Sequence, residues 1–181
     1  LGNISCGYAT AKELRDASKA VHNLGKFVVA YNSGEYIGLG KYYISTAAKE
    51  VYGFPTSTMN FLGLGSEMMF YKGALDKIGV EMQIIRGSNN DFKSAVEPFF
   101  LDKMSDSSRL QMQTYVDNIW KAMRDEIAED RKLKAEDLNT WADEMKVKRV
   151  KDAVALKMMD GNKYRDEILA LLQKKVNVKS I

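Results

Sequence analysis

The sequence predicts a layered α/β fold over its first hundred residues and a helical segment after them. Three observations predict it. Short aromatic and β-branched runs such as FVVAY (27–31) alternate with stretches of helical periodicity, and glycine-rich turns separate the two. From Met104 onward apolar residues recur every three or four positions without a strand-like run. With 181 residues and 45% hydrophobic content, the chain suffices for one ordinary domain, or for one domain with an appended helical unit.

The first helix is announced by Thr10 and Glu13, a T-x-x-E capping box, and by an apolar stripe of Leu14, Ala17, Ala20 and Val21 ending at Gly25. FVVAY reads as a short buried strand. NSGEYIGLGKYYISTAAKEVYGF (32–54) repeats the alternation as a turn, a small-residue helix and a strand ending near Pro55. TSTMNFLGLG predicts another strand, and Gly63 and Gly65 a tight strand-to-helix turn. In SEMMFYKGALDKIG, Met68, Tyr71, Leu75 and Ile78 share a helical face with Gly79 as its stop, and VEMQIIR (80–86) reads as the strand that completes a βαβ unit. Beyond Met104, Ser105 caps a long helix with Met112, Tyr115, Ile119, Met123 and Ile127 on one face. LKAEDLNTWADEM, VKRVKDAVALKMMDG and KYRDEILALLQKK add three amphipathic helices, so everything after residue 104 reads as helical core packing without chemistry.

Composition removes several function classes. Twenty-seven basic residues against 24 acidic leave +3, evenly mixed, which gives no electrostatic footprint for nucleic acid. One cysteine, Cys6, permits neither an internal disulfide nor a cysteine-based metal site, and the single His22, on a charged helix, is badly placed for a Ser-His-Asp triad or a zinc centre. No metal or cofactor is expected. No run reaches the roughly 20 apolar residues needed to cross a bilayer. The opening LGNIS, just before a helix, reads as the start of an excised piece whose export signal or membrane anchor lies upstream.

DFKSAVEPFF (91–100) places Lys93 in the loop beyond the VEMQIIR strand, where a parallel sheet carries its functional groups. On its own a loop lysine is most often a solvated charge. The stretch from GYATAKELRDA onward, and above all GLGSEMMFYKGALDKIGVEMQI followed by FKSAVEPFF, resembles the signal peptide peptidase A (protease IV) family of serine peptidases in its long, two-half form. AVALKMMDG resembles the family's closing helix more weakly.

The resemblance implies a crotonase/ClpP-like βαβ superhelical fold over residues 1–101, incomplete at its N-terminus, with a helical extension over 102–181. It also implies a Ser-Lys dyad divided between halves. Lys93 matches the lysine of the family's K-S-A-x-E-P motif and is the candidate catalytic residue. A serine hydroxyl needs a base to take its proton as it attacks a carbonyl, and an amine serves only if burial away from carboxylates keeps it neutral. Where the serine-bearing half has S-G-G-Y-Y, this chain has Leu39, Gly40, Lys41, Tyr42 and Tyr43, so it resembles the lysine-bearing half and is expected to be inactive alone.

Two local alternatives carry less weight. Ser94 adjoins Lys93, but neighbouring side chains diverge. Ser33 lies in an NSG turn without the G-x-S-x-G pattern. The loop Arg86 to Phe92 is longer than the family's; Asp91 is expected to face solvent and Phe92 to pack inward. Pro98 is expected to turn Phe99 and Phe100 onto the sheet, and Glu97 to cap or pair locally.

The implied partners are a serine-bearing C-terminal half or sister chains, apolar peptide substrates, further copies in a homo-oligomer and, through a segment outside this chain, the outer face of a bacterial cytoplasmic membrane. The competing reading is a catalytically inactive crotonase-like assembly module. Acyl-CoA chemistry on the related fold lacks a recognisable acid pair.

Overall fold

In the computed structural model, residues 4, 6–85, 87 and 91–177 are described. The opening Leu1, Gly2, Asn3 and Ser5, the loop residues Arg86 and Ser88–Asn90, and the tail from 178 lie outside them, and with them the expected loop lengthening before Lys93. The chain forms a mixed α/β structure of two compact units. One joins Leu1–Gly63 to Ala122–Ile181, and the other is Leu64–Lys121. The end of the chain thus packs in the same compact unit as its beginning.

In the first unit, helix α1 spans Tyr8–Asn23 and stops at Gly25, whose φ of +77° is the left-handed conformation glycine adopts without steric cost. The helix begins earlier than the sequence predicts. Gly7 is its N-cap and no side chain caps it, so Thr10 and Glu13 already lie inside and form no capping box. Its buried residues are Ala11 and Arg15, while Leu14, Ala17, Ala20 and Val21 are exposed. The predicted stripe fails because a buried arginine, not an apolar side chain, sets the inward face.

Strand β1 (Val29–Asn32), strand β2 (Tyr36–Ile37), helix α2 (Leu39–Ser45), strand β3 (Glu50–Gly53) and strand β4 (Thr58–Met59) follow. β1 pairs parallel with β3, Val29 opposite Glu50 and Asn32 opposite Gly53; β2 pairs parallel with β4. α2 is the crossover between β1 and β3, as parallel pairing requires. It is almost wholly interior: Tyr42 and Tyr43 are fully buried. Tyr42 donates from its hydroxyl to the Met158 carbonyl (2.8 Å) and meets the edge of Phe61 at 5.9 Å. A buried hydroxyl needs such an acceptor.

The second unit holds helix α3 (Lys72–Lys77), the single-turn helix α4 (Glu97–Phe100) and the start of helix α5 (Asp106–Arg131). Among its described residues there is no strand. Residues 80–85, expected to complete a βαβ unit, have no regular structure and are largely exposed, Ile85 at 99%. Among the described residues nothing hydrogen-bonds that segment into a ladder, so its apolar run does not act as a strand. α3 is shorter than predicted and buries none of its residues, though it ends as expected at Gly79, with φ +73°. Gly63 and Gly65 lack positive φ and a Cβ would meet nothing within 4 Å at either, so no tight turn depends on them.

After α5 come helix α6 (Ala135–Asp143), helix α7 (Val150–Ala155), strand β5 (Gly161–Asn162) and helix α8 (Arg165–Val176). The three predicted helices are present, but the segment is not wholly helical. β5 pairs parallel with β3, giving the order β1-β3-β5, and the Asp160 N–H donates to the Val51 carbonyl at 2.9 Å. Glycine at 53 lets α7 lie against the sheet: a Cβ there would stand 2.7 and 2.8 Å from the Val150 methyls. Ile37, Val51, Met59, Phe61, Ile127, Leu138, Val147, Val150 and Met158 form the buried core.

Arg15 joins these parts. Its Nε donates to Glu126 (2.9 Å), one terminal nitrogen to the Tyr43 carbonyl (2.8 Å) and Thr46 (2.6 Å), and the other to the Glu126 carbonyl (3.0 Å) and Asp130. The guanidinium also lies 4.6 Å from the centre of the Tyr43 ring. Burial opposes the charge of Glu126, but hydrogen bonds from Tyr43 and Lys12 prevail and hold its carboxyl below the ordinary value. Removing one member of a buried charged network strands the others. Arg15→Met is therefore expected to cost about 3–5 kcal/mol of stability, read as a lowered denaturant midpoint at an unchanged slope.

Candidate functional site

The run KSAVEP occupies 93–98, where the chain enters α4. The Glu97 N–H donates to the Ser94 carbonyl (3.0 Å), closing a turn immediately after Lys93. Glu97 is almost fully buried, and its carboxylate accepts from both the Ser105 N–H (3.2 Å) and the Ser105 hydroxyl (2.6 Å). Ser105 in turn accepts from the Ser108 N–H (3.2 Å), as the N-cap of α5. The expected local pairing of Glu97 is thus a clasp between α4 and the first turn of α5. A second tie fixes the other side: the Tyr71 N–H donates to the Pro98 carbonyl (2.7 Å), and the rings of Tyr71 and Phe99 stack at 5.8 Å.

Lys93 projects from this anchored turn and is exposed, and Ser94 is half-buried. Among the described residues no hydrogen bond joins the two side chains, so they do not form a local dyad. Asp91 faces solvent as expected, but Phe92 is 57% exposed and does not pack inward. Phe99 lies on Tyr71 rather than on a sheet, because the described residues of this unit form none for Pro98 to turn it toward. Ser33 is an exposed residue in the turn after β1, His22 is exposed with its Nδ1 3.3 Å from the Lys26 carbonyl, and Cys6 is exposed. Among the described residues no group of three or more His, Cys, Asp or Glu could hold a metal ion, and no helix is long and apolar enough to cross a membrane.

Leu39, Gly40, Lys41, Tyr42 and Tyr43 form the first turns of α2, behind the N-cap Gly38. No hydroxyl stands at Leu39. The unforeseen residue is Lys41, only 7% exposed, with a fully buried Nζ that has no hydrogen-bond partner among the described residues. Burial lowers its pKa from the ordinary 10.5 by penalising the ammonium form. The one sequence signal was position: Lys41 precedes YYIS, four residues that are all interior.

Residues 21–179 match the profile described as Peptidase family S49. The chain is 26% identical over 177 residues to the "Serine protease SPPA, chloroplastic" of Arabidopsis thaliana, covering 97% of this chain and 25% of that protein. It is 33% identical over 110 residues to "Protease 4" of Haemophilus influenzae, covering 61% of this chain and 17% of that one. Against "Protease 4" of Salmonella typhi it is 28% identical over 127 residues, 70% of this chain and 19% of that protein. The chain spans a quarter or less of the length of these curated relatives.

Two outcomes test the geometry. Ser105→Ala, which removes the α5 cap and half of the Glu97 pairing, is expected to cost about 1–3 kcal/mol in chemical denaturation. Lys41→Met, which removes a buried unpaired amine, is expected to raise stability by about 1–3 kcal/mol. Between the lowered pKa of Lys41 and 10.5 the unfolded chain holds a proton the folded one has lost, so stability rises with pH through that window. Lys41→Met should flatten this rise.

Proposed function

Because the chain belongs to peptidase family S49, we propose that it forms the lysine-bearing part of a split serine endopeptidase with Lys93 as general base. The observation that carries the reading is the KSAVEP run at 93–98, its lysine projecting from a turn that Glu97 and Ser105 pin. In this mechanism a serine from the serine-bearing half or a sister chain attacks the scissile carbonyl through Oγ, and the Lys93 Nζ takes the hydroxyl proton as the bond forms. The ammonium then gives that proton to the leaving nitrogen as the C–N bond breaks, and the acyl-serine left behind is hydrolysed by water with the same amine as base. The substrates are signal peptides and other short apolar peptides, met at the outer face of a bacterial cytoplasmic membrane.

The exposure of Lys93 sets a condition on this reading. An amine in water stays charged, so a partner surface must close over the loop and exclude water and carboxylates from it. The second unit has apolar surface for such a cover, with Met69, Ile78 and Ile85 all exposed. The cover in this reading is the serine-bearing half or a sister chain, within an assembly whose members repeat a crotonase-like fold.

The same exposure also favours a second reading, a catalytically inactive assembly module that tolerates loss of the lysine. One comparison separates them. In the full-length protein, Lys93→Ala is expected to lower hydrolysis of a fluorogenic apolar peptide by about a hundredfold to ten-thousandfold. Assembly by size-exclusion chromatography should be unchanged, since trimming an exposed side chain alters stability by no more than about 0.5 kcal/mol. Lys93→Arg should be equally inactive because a guanidinium keeps its proton. Unchanged hydrolysis in both variants would move the catalytic site away from Lys93, and no hydrolysis by parent or variants would favour the inactive module.

A further inference from the structure

Among the described residues, every buried apolar side chain, from Ala11 to Phe61 and from Met123 to Ile168, belongs to the first unit. In Leu64–Lys121 the buried residues among those described are Glu97 and Ser108, a carboxylate and a hydroxyl. This unit is not poor in apolar residues. Met69, Ile78, Ile85, Phe92, Leu110 and Tyr115 all stand between 57% and 99% exposed.

Such a unit lacks what ordinarily holds a chain in one conformation. Fixing the backbone of a residue costs about 1–2 kcal/mol in entropy, and the apolar burial that offsets this in a folded domain is missing here. The short helices do not make up the difference. Both α3 (Lys72–Lys77) and α4 (Glu97–Phe100) fall well below the roughly 12–15 residues at which an isolated helix becomes marginal. The Glu97–Ser105 clasp and the Tyr71–Phe99 stack set the geometry of the Lys93 turn once the unit is ordered, but they bring no apolar core. The order must come from surface buried against something outside the described chain.

We propose that Leu64–Lys121 is an assembly arm that folds against the serine-bearing half of the same peptidase chain, so that the Lys93 base forms only on contact with the serine it serves. The inference rests on the peptidase reading. Two observations choose this cover. The six exposed side chains present on the order of 1,000 Å², comparable with the roughly 800 Å² that each partner contributes to a standard interface. The chain also spans a quarter or less of its curated relatives, which leaves polypeptide enough for a cover of that size. Contact then acts twice on one site: it orders the turn that aims Lys93, and it excludes the water that keeps the amine charged. An unassembled half carries a solvated ammonium on an unordered arm and is inert.

Hydrogen exchange on the full-length protein tests this with the parent, Ile78→Asp/Ile85→Asp and Lys93→Ala. Both isoleucines are exposed, at 71% and 99%, so the double variant changes the surface offered to the cover and not the unit's own contacts. In the parent, amides of α3 and of α5 from 106 to 121 should be protected. In the double variant they should exchange at least about a hundredfold faster, because an unpaired carboxylate opposes burial and the arm is left uncovered. Amides of α2 and β3 should be protected alike in both, showing the first unit folded. Repeating the measurement on parent diluted to a protomer, judged by size-exclusion chromatography, identifies the cover. Protection kept on dilution supports the serine-bearing half of the same chain, and protection lost on dilution overturns that choice in favour of a sister copy. Lys93→Ala leaves the surface whole and should keep the protection while hydrolysis is lost, so a failure of the base assignment is told apart from a failure of the arm. Free exchange of these amides in the parent, or their continued protection in the double variant, overturns the proposal.

Discussion

The first unit depends on the burial of one guanidinium. Arg15 has five donor positions, and the structure surrounds them with backbone carbonyls from α2 and α5, the Thr46 hydroxyl and the carboxylates of Glu126 and Asp130. No apolar side chain would fix three helices so specifically, because hydrophobic contact has no direction while a planar fork of donors does. The arrangement explains why Tyr43 is interior. Its ring lies against the guanidinium and its hydroxyl donates to Glu126 at 2.7 Å, and burial followed by that bond raises its pKa well above the ordinary value. The network thus holds a neutral phenol, a cation and two anions in one interior, each stabilised by the others.

The second unit is organised on a smaller scale. Its buried carboxylate, Glu97, works through Ser105, so among the described residues the geometry of the KSAVEP turn is set by the start of α5 rather than by a sheet. A loop held in this way keeps its backbone in place while leaving the Lys93 side chain free to meet another surface. That division of labour, rigid support and exposed group, is common where a site is completed from outside.

Much of this was legible in the sequence, and the misses have physical causes. The caps and stops at Ser105, Gly25 and Gly79 were readable because each depends on residues within a few positions. The helices after residue 104 were readable from their period. α1 misled because its inward face centres on an arginine, which any hydrophobicity pattern places outside. VEMQIIR misled because a strand exists only where a neighbour accepts its hydrogen bonds, and composition cannot reveal a missing neighbour. β5 was hidden for the converse reason: Gly161 and Asn162 have no strand propensity and pair only because β3 is there. Of the candidate site, the motif around Lys93 was legible, but its exposure and the burial of Lys41 were not, since both follow from long-range packing.

The pairing of β5 with β3 also bears on how the chain reaches its fold. Tyr52 and Gly161 become neighbours only after the whole intervening second unit has been made. Contacts so distant in sequence raise the contact order and slow folding, because the entropy of closing the loop is spent before the pairing repays it. During synthesis, β1, α2 and β3 must therefore wait with one edge of the sheet open and the Arg15 network lacking its α5 partners. The interval exposes an unpaired strand edge and a buried-type cation to water, and a nascent chain in that state is a natural client for a chaperone.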